Sequence, residues 1–262
     1  MKKILVAAAA LTALAGAPAI AADLGRPMPA YKAPPPPAPV YSWTGCYLGG
    51  GGGYGMWNQD MYEESFPGLV PLSLTTTAGG RGWFATVQVG CDYQFAGDWL
   101  IGAFADWDVG NLKGTPELPN TPLIGREKQK WAWAAGGRLG YLVLPQLLAF
   151  VSVGFTEAHF DAITLVAADD GDSAGEHLPA HTYHGWFLGT GYEYALKWLP
   201  GWFWKTEYRY AQYRGADLAP VFDIRGADLI DGDAFHMRKF EQVIRSELVW
   251  RFNWGGPVRA AY

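Results

Sequence analysis

Charged residues make up 17% of the chain, and only two cysteines, five histidines and five methionines occur in its 262 residues. A soluble domain usually carries about a quarter charged residues, so an ordinary solvated surface is in short supply. Two cysteines do not make a disulfide scaffold. Cys46 and Cys91 can bond in an oxidising compartment if their Cα atoms come within about 7 Å, and the sequence leaves that pairing open. After the first twenty residues, every apolar stretch is broken within a few positions by glycine, proline or a charge. No helical membrane anchor follows, and a helix-based hydropathy search would class the remainder as soluble. Such a search is blind to membrane-spanning strands, which alternate lipid-facing and lumen-facing residues and so dilute mean hydropathy while keeping a period of two. Nor is there a basic excess. The formal charge of −5 becomes about −7 once Lys2 and Lys3 are removed, which argues against a nucleic-acid partner.

What is abundant is glycine, tryptophan and tyrosine, at 34, 13 and 14 residues, a profile of strands, turns and interface aromatics. Lys2 and Lys3, the apolar run 4–15 and the small-residue pattern Ala19-Ile20-Ala21 read as an export leader, 1–21, cleaved after Ala21. The run is too short to span a bilayer. Residues 22–43, with Pro34 to Pro37 in a row, show no regular period and read as an extended periplasmic tether. Residues 44–254 read as a β-barrel, and 255–262 as a C-terminal extension.

Eight segments alternate: 44–57, 81–95, 99–111, 130–143, 147–160, 183–195, 202–213 and 238–254. In the second, Ala85, Val87, Val89, Cys91, Tyr93 and Phe95 oppose Thr86, Gln88, Gly90, Asp92 and Gln94. The seventh sets Trp204, Thr206, Tyr208 and Tyr210 against Lys205, Glu207 and Arg209. In the last, Ile244, Leu248, Trp250 and Phe252 oppose Arg245, Glu247, Arg251 and Asn253, with Ser246 the exception on the apolar side.

Connection length separates a membrane barrel from a soluble sandwich. The links near Gly97-Asp98, Pro145-Gln146 and Leu199-Pro200-Gly201 are short, whereas 58–80, 112–129, 161–182 and 214–237 are long. Short and long links alternate strictly, as in outer-membrane barrels with short periplasmic turns and long external loops. Aromatics at the segment ends suit interface girdles: Tyr93, Trp99, Trp198 and Trp254 at one rim, Trp57, Trp107, Trp131 and Tyr210 at the other. A lipocalin-like soluble barrel would also have eight strands and an export leader, but it would turn its apolar face inward. The expected fold is all-β, an eight-stranded antiparallel transmembrane barrel in the cell outer membrane.

Several motifs resemble a known family. They are Ala21-Ala22-Asp23-Leu24 with Tyr31-Lys32-Ala33-Pro34-Pro35, Trp43-Thr44-Gly45, Tyr47-Leu48-Gly49, Gly53-Tyr54-Gly55, Arg138-Leu139-Gly140-Tyr141, Glu207-Tyr208-Arg209-Tyr210 and Phe252-Asn253-Trp254-Gly255-Gly256-Pro257. In this order they are similar to the alphaproteobacterial porin-like small outer-membrane proteins related to the surface-antigen barrels. The resemblance implies an outer-membrane barrel and no particular reaction. It also implies, for the Ala-Asp start, a mature end joined to peptidoglycan through the terminal amine of Ala22. Cys46, Phe104 and Gly51 depart from the family pattern, replacing a large apolar, an inward glutamate and an inward polar residue respectively.

The inferred lumen-facing charges are Asp92, Asp106, Arg138, Glu193, Lys205, Glu207, Arg209, Arg245, Glu247 and Arg251, five of each sign. They read either as a structural network filling the barrel or as the charged constriction of a small pore. An eight-stranded barrel is only just wide enough for its own side chains, which favours filling. Inward glycines at 49, 51, 53, 102 and 189 open space or accept Phe104, Phe150, Phe187 and Phe203. For a lipid-modifying barrel enzyme, His177, His181, His184 and Ser173 supply loop candidates without a strand-fixed nucleophile and base, so no catalytic residue is expected. The same histidines suit a metal only if helical, and Pro179 opposes that. Asp169-Asp170-Gly171-Asp172 begins like a calcium loop, but Ala174 and His181 stand where ligands are needed. No cofactor and no metal are expected. The expected role is structural, in envelope integrity and at the surface, among outer-membrane lipid and lipopolysaccharide. A small porin and a surface ligand-binding or adhesion protein are the alternatives, and one sequence fixes neither oligomeric state nor loop ligand.

Overall fold

The computed structural model describes residues 43–65, 70–222 and 233–252. The leader, the tether up to residue 42, Trp254 and the extension 255–262 lie outside the described residues. Eight long strands form the wall: β1 (Gly45–Ser65), β2 (Thr76–Phe95), β3 (Trp99–Gly114), β4 (Leu123–Leu144), β5 (Leu147–Phe160), β6 (His181–Ala195), β7 (Trp202–Tyr213) and β8 (Asp233–Phe252). Each pairs antiparallel with its chain neighbour. β8 returns to β1 in a register that sets Cys46 opposite Phe252 and Ser65 opposite Asp233, so the ring closes without a free edge.

The alternation decides which face is inside. Leu48, Val87, Val89, Ile101, Leu139, Val151, Val153, Leu188, Ile244 and Leu248 all lie exposed on the outer wall. An exposed apolar band of this extent belongs in lipid, and it rules out the lipocalin-like arrangement. Aromatics border the band. Trp99 packs on Tyr141 and Trp202 on Trp250 near the short turns, while Tyr54 meets Trp83 and Trp107 stacks on Trp131 toward the long connections. Trp57 departs from the girdle expectation: it is 1% exposed and points inward, because it has the parity of Tyr47 and Gly53 rather than of Tyr54.

The short connections are tight turns. Ala96 and Gly97 take φ of 45° and 78°, a left-handed geometry that a glycine accepts without steric cost. At the other end the long connections are less loop-like than expected. β1 runs for 21 residues and β4 for 22. At about 3.3 Å per residue and a tilt of about 40°, such a strand rises roughly 50 Å, about twice the height of an apolar band. The wall therefore continues beyond the membrane. Further short strands, Ile163–Ala167 and Ser173–Leu178, form a hairpin that pairs with Leu123 to Arg126 of β4 and with Val221–Phe222. Met61, Leu118, Ile163, Leu165, Leu178, Leu218, Phe235 and Met237 give this crown its own apolar core. The acidic run is partly strand, and Asp169, Asp170 and Asp172 stay exposed at the hairpin turn.

Cys46 and Cys91 are register partners on β1 and β2 and form a disulfide on the outer face. The pairing that the sequence left open is thus closed by strand register, which brings two residues 45 positions apart side by side.

Candidate functional site: the charged barrel interior

All ten charged residues read from the sequence alternation are buried inside the barrel, at 5% exposure or less. They fall into two layers. Near the short turns, Arg138, Arg251, Asp92 and Glu193 form a ring in which each guanidinium touches both carboxylates. Arg138 Nε lies 2.9 Å from Asp92 and its Nη1 3.1 Å from Glu193. Arg251 donates to Asp92 at 2.7 Å, to Glu193 at 2.7 and 2.9 Å, and to the carbonyl of Trp43 at 3.2 Å. Aromatic faces close the ring from below and beside it. Trp43, itself bonded to the carbonyl of Pro145, stands 4.9 Å from the Arg251 guanidinium, and Tyr47 stands 4.7 Å from that of Arg138.

Midway up, Arg209 binds Asp106 through two bonds of 2.9 and 3.1 Å. Arg245 reaches Asp106 at 3.1 Å and Asp108 at 2.8 Å. Lys205 lies 3.2 Å from Glu207, 2.7 Å from Gln88 and 3.7 Å from Glu247. Ser152 donates to Glu207 at 2.6 Å. Glu247 accepts no hydrogen bond at either oxygen and is held by charge alone. Phe150 faces cations of both layers, Arg138 and Lys205, while Phe104 and Phe187 meet cations of the middle layer, with Arg209 4.2 Å from Phe187.

Two of the inward glycines make room for charge rather than for phenylalanine. An added Cβ at Gly102 would overlap Asp92 Oδ1, and one at Gly189 would overlap Ser152 Oγ and come within 2.6 Å of Glu207 Oε1. The bulk that these positions lack is occupied by the ion pairs.

Sequence reading missed a third layer. Lys239 bonds Glu127 at 2.5 Å and also Gln59, with Phe160, Trp57 and Tyr183 at 4.2, 4.7 and 5.0 Å. Glu241 accepts from Gln129 at 2.9 Å and from Tyr213 at 2.6 Å. Lys239 and Glu241 share the parity of Arg245 and were accessible to the same alternation, as was Asp108 beside Asp106. Glu127 and Gln129 were not. Counting back from Arg138 puts Lys128 and Lys130 inside, but an irregularity between Gln129 and Trp131 inverts the parity and turns the lysines outward.

Among the described residues the interior is closely packed. Cavities between the layers measure about 20 Å³, lined by residues including Asp106, Arg209 and Arg245, and about 10 Å³, lined by Phe84, Gln129 and Glu241 among others. Either holds about one water. Burial of so many ions costs several kcal/mol each before pairing, so their value lies in mutual satisfaction: remove one and its partners become expensive.

The loop histidines do not converge on a helix. His181 and His184 sit on β6, and His184 pairs outward with Glu157 at 2.8 Å, while His177 lies on the crown hairpin.

No family model matches the chain. It is 30% identical over 229 residues to the 31 kDa outer-membrane immunogenic protein of Brucella melitensis, covering 84% of this chain and 91% of that protein, and equally so to its Brucella suis counterpart. Among solved structures, the outer membrane protein OprG from Pseudomonas aeruginosa aligns with TM-score 0.47 and 11% identity over 80% of this chain and 97% of that one. Neisserial surface protein A aligns with TM-score 0.39 and 11% identity over 80% and 98%.

Proposed function

Because the chain belongs to the family of the Brucella 31 kDa outer-membrane immunogenic proteins and resides in the cell outer membrane, we propose that it serves envelope integrity and surface presentation rather than solute passage. The supporting observation is the filled interior, where three ion-paired layers and their phenylalanines leave spaces of about 20 Å³. A hydrated ion needs a continuous aqueous path, and larger barrels provide one only because their strand number widens the lumen. No catalytic step is assigned to the protein. Its relatives are named as immunogenic, and the crown, which carries the wall beyond the lipid on its own apolar core, supplies the surface that such recognition requires.

The envelope role extends, in this proposal, to the residues before the barrel. With the leader 1–21 removed, the tether 22–43 at about 3.1 Å per residue reaches roughly 70 Å. That suffices to bring the amine of Ala22 to the cell wall, where it attacks the carbonyl of an acyl-enzyme formed on a wall peptide; an amide bond to the peptide forms as the acyl–enzyme bond breaks and the enzyme's nucleophile leaves. Deletion of the gene is the test. The strain should leak periplasmic protein and become sensitive to bulky antibiotics, and the full chain should restore it, whereas an Ala22→Pro chain should restore it only partly. Normal barrier function in the deletion strain, or a free Ala22 in all wall-digested copies while other barrels are linked, would overturn the respective parts.

A further inference from the structure

Above the outer aromatic belt, β1 and β8 continue side by side, and Ala216–Leu218 pairs with β8 on its other edge. The registers set Tyr62 opposite His236 and His236 opposite Asp217, with Glu64 two residues along β1 from Tyr62. Three strands distant in sequence thereby bring an imidazole and two carboxylates together. His236 Nδ1 lies 2.6 Å from Asp217 Oδ1, and the Tyr62 ring stacks on the imidazole at 4.9 Å and 20°. One ligand atom from each of Glu64, Asp217 and His236 lies within 4.8 Å of the other two.

Glu64 is the unusual member. It is 2% exposed, and its Oε1 is buried without a hydrogen-bond partner. A plain hydrogen-bonded triad accounts for Asp217 and His236 and leaves that oxygen without a partner. A cation between the carboxylates satisfies it and relieves their repulsion.

We propose that Glu64, Asp217 and His236 form a binding site for a divalent first-row transition-metal ion, with Zn²⁺ the best fit. Mixed imidazole and carboxylate donors suit such ions, whereas Mg²⁺ and Ca²⁺ favour oxygen donors alone. Ligand atoms about 2.1 Å from a tetrahedral ion are about 3.4 Å apart. Side-chain movement on the order of an ångström therefore closes the site. Asp217 and His236 side chains are 37% and 29% exposed, so a further coordination position faces solvent. The metal would tie β1, β8 and the Ala216–Leu218 strand together at the outer end of the wall, a role independent of whether the lumen conducts.

The test is calorimetric titration of Zn²⁺ into the folded barrel in detergent micelles, with gel mobility reporting the fold of each variant. One equivalent should bind with a dissociation constant in the micromolar range, and the thermal midpoint should rise with saturation. Affinity should fall at least tenfold in His236→Ala and in Glu64→Gln. It should be unchanged in His184→Ala, which removes a different histidine–carboxylate pair on the outer wall. Wild-type protein loaded with Co²⁺ adds a readout that needs no variant: visible absorption of nitrogen- and oxygen-ligated cobalt, displaced by Zn²⁺. Absence of saturable binding, or binding that His236→Ala leaves intact, overturns the site.

Discussion

Replacing Arg251 by methionine probes the interior where its geometry is most closed. The side chains are similar in length, so the space stays filled while the charge and four hydrogen bonds are lost: one to Asp92, two to Glu193 and one to the Trp43 carbonyl. Arg138 then faces two buried carboxylates by itself. Breaking a buried pair by removing one partner costs about 3–5 kcal/mol, chiefly through the charge left uncompensated. The ring is shared, so the lower end of that range, about 3 kcal/mol, is expected. Adding Glu193→Gln removes the surplus negative charge and should restore about 1–2 kcal/mol, a coupling well outside the roughly 0.5 kcal/mol scatter of independent sites. The assay is urea unfolding of the barrel in lipid vesicles, followed by tryptophan emission and by gel mobility. Arg251→Met within 1 kcal/mol of wild type, or strict additivity in the double variant, would refute the description of these four residues as one mutually dependent ring.

Two further outcomes follow from the wall and the crown. The Cys46–Cys91 bridge closes a 45-residue separation, so the double serine variant should lose about 2–4 kcal/mol in the same assay, with mass spectrometry of alkylated protein confirming the bond in the parent. His181 lies above the outer belt, where burial, followed by His184, Lys239 and His159, lowers its pKa. The folded state then holds that proton less readily than the unfolded chain. Its stabilising contribution is intact above about pH 6.5 and is lost as pH falls through the depressed folded value. His181→Gln should flatten the acid limb of a stability-against-pH profile, and an unchanged slope would contradict the assignment.

Much of this architecture was legible because strand alternation is local. Val87, Val89 and Tyr93 against Gln88 and Asp92 define inside and outside from sequence alone, and the short and long links orient the barrel. The parts that escaped depend on nonlocal geometry. Trp57 looked like a girdle residue because it ends an apolar alternation, yet its parity places it over Lys239. Glu127 and Gln129 were hidden by a single irregularity in β4 that inverts the face of everything before it. The crown looks like four loops in sequence because its added strands are only two to six residues long, and their order comes from pairing partners far away in the chain. Glu64, Asp217 and His236 share no motif at all, since only the registers of β1 and β8 with the Ala216–Leu218 strand bring them together.

Single-channel recording of the purified barrel in a planar bilayer tests the closed interior most directly. A lumen filled by Arg138, Arg251, Lys205, Arg209, Arg245 and their acids predicts a silent baseline at moderate voltage, in preparations whose gel mobility shows a folded barrel. Removing bulk from the middle layer, as in Arg245→Ala with Phe104→Ala, should introduce small conductance steps. Stable stepwise currents from the unmodified protein, altered in size or selectivity by Arg245→Ala alone, would contradict the account.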